Sequence, residues 1–203
     1  MLEGFSLNAD TEGKEAQSLM NATERRELEM KNLQELADVD GLTGILNRRA
    51  FDERMATAME ADAAGPLSVV VMDIDHFKDL NDHYGHDLGD RVLRDFGKIL
   101  KSKARPRIDH AGRIGGEEFA LGLVGLNADA AQEIAETIRR EAEDQLMFSG
   151  EEKIKITVSC GVVERREGEK LPALMKRGDE TMYTAKRDEE DGTKGRNRVI
   201  TAK

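Results

Sequence analysis

The sequence predicts an α/β sandwich, a mixed central sheet covered by helices. Two patterns carry that expectation. Strand-length apolar runs alternate with longer stretches whose apolar residues recur at helical spacing. In the middle of the series a glycine pair punctuates what reads as a hairpin.

Residues 1–14 are polar and glycine-containing and read as a flexible start. No Pro or Gly occurs from Glu15 to Asp38, and Leu19, Ala22, Met30, Leu33 and Ala37 form a thin apolar stripe broken by Arg26. The stripe predicts a helix over 15–39, either a two-stranded coiled-coil linker or a solvated helix packed on its own domain. The segment 40–203 reads as one domain.

Asp40-Gly-Leu-Thr-Gly-Ile-Leu-Asn-Arg-Arg49 opens a helix running to about Ala63, where Gly65-Pro66 stops it. Leu67 to Asp75 is a buried strand ending in two acids, and Phe77 to about Asn81 a short helix. Val92, Leu93, Phe96, Ile99 and Leu100 mark a helix from about Leu88 to Lys101. Arg113 to Val124 reads as two strands around the Gly115-Gly116 turn. An amphipathic helix from about Ala128 to Gln145, a strand from Ile154 to Val163, a helix from about Leu171 to Arg187 and a closing strand at Arg198 to Thr201 complete the series.

Composition narrows the function. Hydrophobic residues are 38% and charged residues 35%, polar but with apolar runs that disordered chains lack. A core domain of roughly 150–160 residues buries about 70% of the surface of its unfolded chain, enough to fold without disulfide or structural metal. The net charge of -10 argues against a nucleic-acid-binding surface. An acidic chain still binds an anionic nucleotide when a divalent cation stands between them. Cys160, the single cysteine, excludes an internal disulfide and reads as a small buried residue. No run reaches the ~20 apolar residues of a membrane span, and the start lacks the regions of a signal peptide. A cytoplasmic protein is expected.

Asp73 and Asp75 end the apolar strand and, two apart, share one face. Clustered carboxylates repel unless a cation neutralises them, although Asp-x-Asp also reads as a helix cap leading into Phe77-Lys78. Gly115-Gly-Glu-Glu-Phe119 sets two acids at a tight turn, where glycines admit backbone conformations and close approaches that a side chain forbids. That string invites a metal or proton-transfer role, or is a plain hairpin. With the hairpin beside the first strand, three carboxylates would converge at one edge of the sheet. Met55 and Met59 read as core, Asp40, Asn47 and Arg48 as capping and bracing the first helix, and His83 and His86 as surface residues rather than a metal pair.

Gly115-Gly-Glu-Glu-Phe119 resembles the signature of the GGDEF family, the diguanylate cyclases, in its Glu-Glu form. Four further blocks resemble the family's motifs in the same order: Asp40-x-Leu-Thr-Gly-x-x-Asn-Arg-Arg49, Asp73-Ile-Asp-His-Phe-Lys-Asp-Leu-Asn-Asp82, Tyr84-Gly-His-Asp-Leu-Gly-Asp90 and Gly195-Arg-Asn197. Together they span Asp40 to Ile200. The resemblance implies a fold like the palm of nucleotide polymerases, preceded by a signalling helix.

It also implies residue roles. Asp73 and Glu118, with the Ile74 carbonyl, would hold Mg²⁺, with Mn²⁺ as a substitute, and Glu117 would be metal ligand or general base beside the 3′-hydroxyl. The amides of His76 and Phe77, with Lys78, would hold the triphosphate at a helix start. Asn81 and Asp90 would read guanine, whose N1–H and N2–H₂ donors adenine lacks. Lys186 and Arg196 would meet the outer phosphates. The implied activity joins two GTP into cyclic di-GMP across a homodimer, with an upstream sensor domain as a further partner.

Two departures modify this. The family's product-inhibition motif Arg-x-x-Asp reads Pro106-Arg-Ile-Asp109 here, so that site is not intact. An acidic insert over 187–194 separates Lys186 from Arg196, leaving Lys194 as a stand-in for Lys186. The main alternative is an inactive relative binding GTP or cyclic di-GMP as a sensor or scaffold. A cyclase with another product and a pure dimerisation module rank below it, since the acids and Asp90 are retained.

Overall fold

The computed structural model describes residues 24–27, 29–30, 37–61, 65–149, 152–187 and 195–202. The chain divides into two compact units, Met1–Asp38 and Val39–Lys203. In the first, residues 24–27, 29–30 and 37–38 are helical. Val39, at the end of the helix expected over 15–39, is not helical but pairs with Leu46 in an isolated antiparallel bridge; the flexible start expected over 1–14 and the rest of that helix lie outside the described residues.

The second unit runs β1 (Leu46–Asn47), α1 (Arg48–Ala61), β2 (Leu67–Ile74), α2 (Phe77–Tyr84), α3 (His86–Lys103), β3 (His110–Arg113), β4 (Glu118–Val124), α4 (Ala128–Asp144), β5 (Leu146–Ser149), β6 (Glu152–Lys155), β7 (Val158–Glu164), α5 (Leu171–Lys186) and β8 (Val199–Ala202). Six strands form one sheet in the order β1-β3-β4-β2-β7-β8. The inner pairings of β2 with β4 and β7 are antiparallel, while β1 with β3 and β7 with β8 are parallel, so the sheet is mixed.

The continuous apolar run Leu67-Ser-Val-Val-Val-Met-Asp-Ile74 explains the central place of β2. Every residue of it is buried, as in a strand covered on both faces. Alternation divides it between two cores. Val70, Met72 and Ile74 pack with Leu93, Phe96 and Ile138 of α3 and α4. Leu67, Val69 and Val71 pack with Phe51, Met55 and Met182 of α1 and α5. Each such side chain contributes about 1.5–3 kcal/mol on burial.

The helix starts follow local chemistry. Asn47 Oδ1 accepts from Ala50 N at 3.0 Å at the start of α1, and Asn127 Oδ1 from Ala130 N at 3.0 Å at the start of α4. Pro172 lies in the first turn of α5, where its missing N–H costs nothing. Asp40 Oδ1 accepts from Thr43 N and Oγ1, and Arg48 Nη1 donates to the Ile114 carbonyl at 3.1 Å, bracing the entry to α1.

Several elements differ from the sequence reading: the first strand of the hairpin, β3, ends at Arg113 instead of starting there, and β5 was not expected. The strand expected over Ile154–Val163 is two, because Ile156 and Thr157 break it: β6 pairs with β5 in a separate ribbon and β7 joins the main sheet. The short helix at Phe77 continues to Tyr84, so Gly85 alone separates α2 from α3. The two-residue β1, parallel to β3, had no sequence signal. Among the described residues no helix is long and apolar enough to cross a membrane. Cys160 is buried, which pushes its thiol far above the ordinary range.

Candidate active site

Asp73 on β2 stands opposite Glu118 on β4 in the antiparallel register. Directly opposed residues share a face, here the one that α1 and α5 cover. Asp73 is buried, and Lys186 Nζ, at the last turn of α5, is 2.7 Å from its Oδ1. Burial pushes the Asp73 carboxyl up to about 6; the ammonium pulls the other way, and the charges of Glu117 and Glu118 add to the rise. Glu117 sits in the turn before β4, where its carbonyl accepts from Ile74 N at 3.3 Å.

Neither glycine of the turn has a positive φ. What Gly115 supplies is space, since a Cβ there would overlap Glu118 Oε2. Arg113 braces the same turn, its Nη2 donating to the Gly116 carbonyl at 2.7 Å and its Nη1 to Asp40 Oδ1 at 3.3 Å. Sequence reasoning gave Arg113 no such role; an arginine two residues ahead of the glycine pair was the available signal.

The expected three-carboxylate cluster is not closed. Among the described residues no three Asp, Glu, His or Cys side chains gather tightly enough to hold a metal ion. Like charges repel, and the Lys186 ammonium neutralises Asp73 instead. The donor set nevertheless fits a hard divalent cation. Such an ion takes one or two carboxylates and completes its shell with carbonyl, water and phosphate oxygens. Asp73 Oδ1 is buried against the Lys186 ammonium, a cation in the place where a divalent ion would neutralise the carboxylate.

The raised carboxyl has a measurable consequence. The unfolded chain ionises Asp73 near its ordinary 3.8, the folded chain only near 6. The folded state holds that proton more tightly, so ionisation removes stability as pH rises across this interval. Asp73→Asn is expected to raise the urea midpoint over the parent at about pH 8 and to leave it unchanged near pH 3.5. An equal gain at both pH values would exclude ionisation as the cause.

The α2–α3 hairpin carries the next group. His76, at the cap of α2, is left-handed with φ 57, and its Nδ1 lies 3.2 Å from Asp79 Oδ2. The first amides of α2 follow, without acceptors in their own helix. The Phe77 ring is buried, so Phe77 has only its backbone to offer, while Lys78 is exposed. Asn81 Oδ1 is buried without a hydrogen-bond partner, which is costly unless a ligand supplies one. It lies over Gly89, where any Cβ would overlap it. Asp90 is the next residue, half-exposed, with Arg94 Nη2 at 3.6 Å.

Lys186 ends α5, and the Arg196 backbone closes on that helix end. Arg196 is exposed, and its amide donates to the Ala185 carbonyl at 2.7 Å. Residues 188–194, with most of the acidic insert and Lys194, lie outside the described residues. A cavity of about 630 Å³ opens between α1 and α5; of the predicted site residues only Glu118 is in its wall, beside Arg48, Asp52 and Lys176. His83 and His86 are exposed.

At the departed motif, Asp109 is buried and fully engaged. Oδ2 accepts from Arg105 N and Nε at 2.9 and 2.7 Å; Oδ1 accepts from Arg105 Nη2 at 2.7 Å and Val124 N at 3.1 Å. Four donors fill the four acceptor positions of a carboxylate.

Comparison with known proteins agrees with this geometry. The family model described as "Diguanylate cyclase, GGDEF domain" matches residues 37–192. Diguanylate cyclase VdcA of Vibrio cholerae is 41% identical over 175 residues, 85% of this chain and 49% of that protein. Response regulator PleD of Caulobacter vibrioides is 39% identical over 171 residues, 82% of this chain and 36% of that protein. The chain thus spans about half or less of the length of these curated relatives. Among solved structures, the coiled coil and GGDEF domain of DgcB from Caulobacter crescentus in complex with c-di-GMP superposes with a TM-score of 0.80 at 33% identity, covering 95% of this chain and 99% of that one. The active GGEEF domain of a diguanylate cyclase from Vibrio cholerae gives 0.69 at 32% identity, over 77% of this chain and 97% of that one. With the Gly115–Phe119 signature on a mixed sheet of that architecture, the chain belongs to the GGDEF family.

Proposed function

We propose that this domain is a diguanylate cyclase, joining two GTP into cyclic di-GMP with release of two pyrophosphates. What supports the reading most is the opposed pair Asp73 and Glu118, with Glu117 in the adjoining turn and the start of α2 following β2 in the chain.

Each step joins a 3′-oxygen to the α-phosphorus of the facing GTP and breaks the bond to the β-phosphate, so pyrophosphate leaves. Mg²⁺, held by Asp73, Glu118 and the Ile74 carbonyl, would neutralise charge on the phosphates. The Glu117 carboxylate accepts the hydroxyl proton. The amides of His76 and Phe77, with Lys78, hold phosphate oxygens at the start of α2. The Asn81 side chain, whose Oδ1 is buried without a partner, and the Asp90 carboxylate take the guanine edge, and Lys186 and Arg196 the outer phosphates.

One site holds one nucleotide, so two copies face each other across a two-fold axis. The helix expected over 15–39 supplies the dimer contact in this reading, by analogy with the coiled coil named for the DgcB structure. The reading puts the domain in the cytoplasm, where its nucleotide substrate is.

The test is incubation of the purified chain with GTP and Mg²⁺, with products resolved by mass. Cyclic di-GMP and pyrophosphate are expected. Their absence, even at concentrations that drive dimerisation, would overturn the cyclase reading in favour of a nucleotide-binding relative. A second expectation concerns feedback. With Asp109 saturated by Arg105 and Val124, added cyclic di-GMP is expected to leave the initial rate within about twofold at concentrations well above product levels. A dose-dependent loss of rate that saturating GTP does not overcome would show that the departed motif still binds product.

A further inference from the structure

Asp75 shares a face with Asp73, yet its oxygens already have partners. It is buried, with Oδ1 accepting from Ser159 Oγ at 2.7 Å and Oδ2 from Thr157 Oγ1 at 2.8 Å and Asn197 N at 3.0 Å. Its own amide donates to the Thr157 carbonyl at 2.9 Å. Protein donors thus occupy both oxygens, a poor starting point for a metal ligand.

The Asn197 amide belongs to a turn that needs holding. Arg196 and Asn197 have φ of 74 and 47 in succession, a left-handed conformation that asparagine tolerates but that is disfavoured for arginine. The turn closes the end of α5. Arg196 N donates to the Ala185 carbonyl, and the Arg198 guanidinium donates to the carbonyls of Thr184, Ala185 and Arg187. At Gly195 a Cβ would overlap the Lys186 and Arg187 carbonyls. From this clamped helix end Lys186 reaches Asp73, and Arg139 Nη1 holds the far side through Asn197 Oδ1 at 2.8 Å.

We propose that Asp75 is a positioning residue: it latches the Gly195–Arg198 turn onto the end of β2 and thereby places Lys186 and Arg196 for the outer phosphates of the nucleotide. The identity of that ligand rests on the cyclase reading; the latch itself does not. Asp75 touches neither substrate nor metal, and acts through the backbone of Asn197.

The test uses the full chain with Asp75→Ala, Asp75→Asn and Asp75→Ser. Asparagine keeps an oxygen for the Asn197 amide. Serine keeps a polar group between Thr157 and Ser159 but is too short to span to Asn197, and it serves if the alanine variant does not fold. In the alanine or serine variant, hydrogen exchange over residues 195–202 is expected to speed up by about tenfold or more, with β2 and β4 unchanged. The affinity ratio for a non-hydrolysable GTP analogue over GMP is expected to fall about tenfold, because GMP lacks the outer phosphates. Asp75→Asn is expected to recover most of both effects. Unchanged exchange in the turn, or equal loss of GTP-analogue and GMP binding, would overturn the latch. The exchange readout needs no nucleotide, so a parent chain that makes no cyclic di-GMP would overturn the cyclase reading while the latch stands or falls on its own.

Discussion

Replacing Glu117 by glutamine is expected to lower the rate of cyclic di-GMP formation by about 10²–10⁴-fold, the range for losing a positioned proton acceptor. Glutamine has nearly the same shape, and the structural hydrogen bond at this residue uses its carbonyl, which accepts from Ile74 N. The turn should therefore keep its form. The carboxylate also repels the neighbouring Asp73, adding to the elevation of that carboxyl. Removing it should lower the Asp73 pKa, so the acid limb of whatever activity remains should move to lower pH. Single-turnover assays across pH, with GTP binding measured in parallel, separate these effects. A rate within about tenfold of the parent would remove Glu117 from the chemistry.

Phe119→Ala carries the largest expected stability cost, about 3–5 kcal/mol, typical of deleting a fully buried aromatic ring. Phe119 is 0% exposed and meets Phe96 of α3 edge to face, with centroids 4.9 Å apart. Such pairs add about 0.5–1.5 kcal/mol beyond burial. Against a total of about 5–15 kcal/mol for a domain, the loss would leave it marginal. Urea unfolding reads the effect directly, and Phe119→Leu should recover part of it. Alternation along β4 gives the loss a functional side. Phe119 is driven into one core while Glu118 is presented on the other face, so the ring anchors the strand that aims the acid. Activity should fall even under conditions where the variant remains folded.

Much of this architecture was legible in the sequence because it rests on local patterns. β2 announced itself by an apolar run too continuous for a one-sided strand, and α3 and α4 by their periodicity. The second ribbon was not legible. Apolar residues continue from Ile154 through Ile156 to Val158, and periodicity cannot register that the chain changes partners between them. Site residues divide in the same way. Asp-x-Asp alone read equally as a helix cap, and only the resemblance across five blocks singled out Asp73. The two acids then part company in the fold: Asp73 meets Lys186, while Asp75 binds groups 82, 84 and 122 residues away. No window on the sequence brings those together. The acidic insert after α5 bears on the phosphate role of Lys186; what α5 shows is that its last turn delivers the Lys186 ammonium to Asp73, a contact the sequence did not suggest.

The saturated Asp109 has a consequence for signalling as a whole. An enzyme that binds its own product carries a built-in ceiling: output stops rising once the messenger reaches a set level, whatever the input does. Under the proposed function, a carboxylate already closed on Arg105 and Val124 leaves this domain without that brake. It would run open-loop, converting the duration of its stimulus into messenger, with the steady level set by the enzymes that degrade cyclic di-GMP.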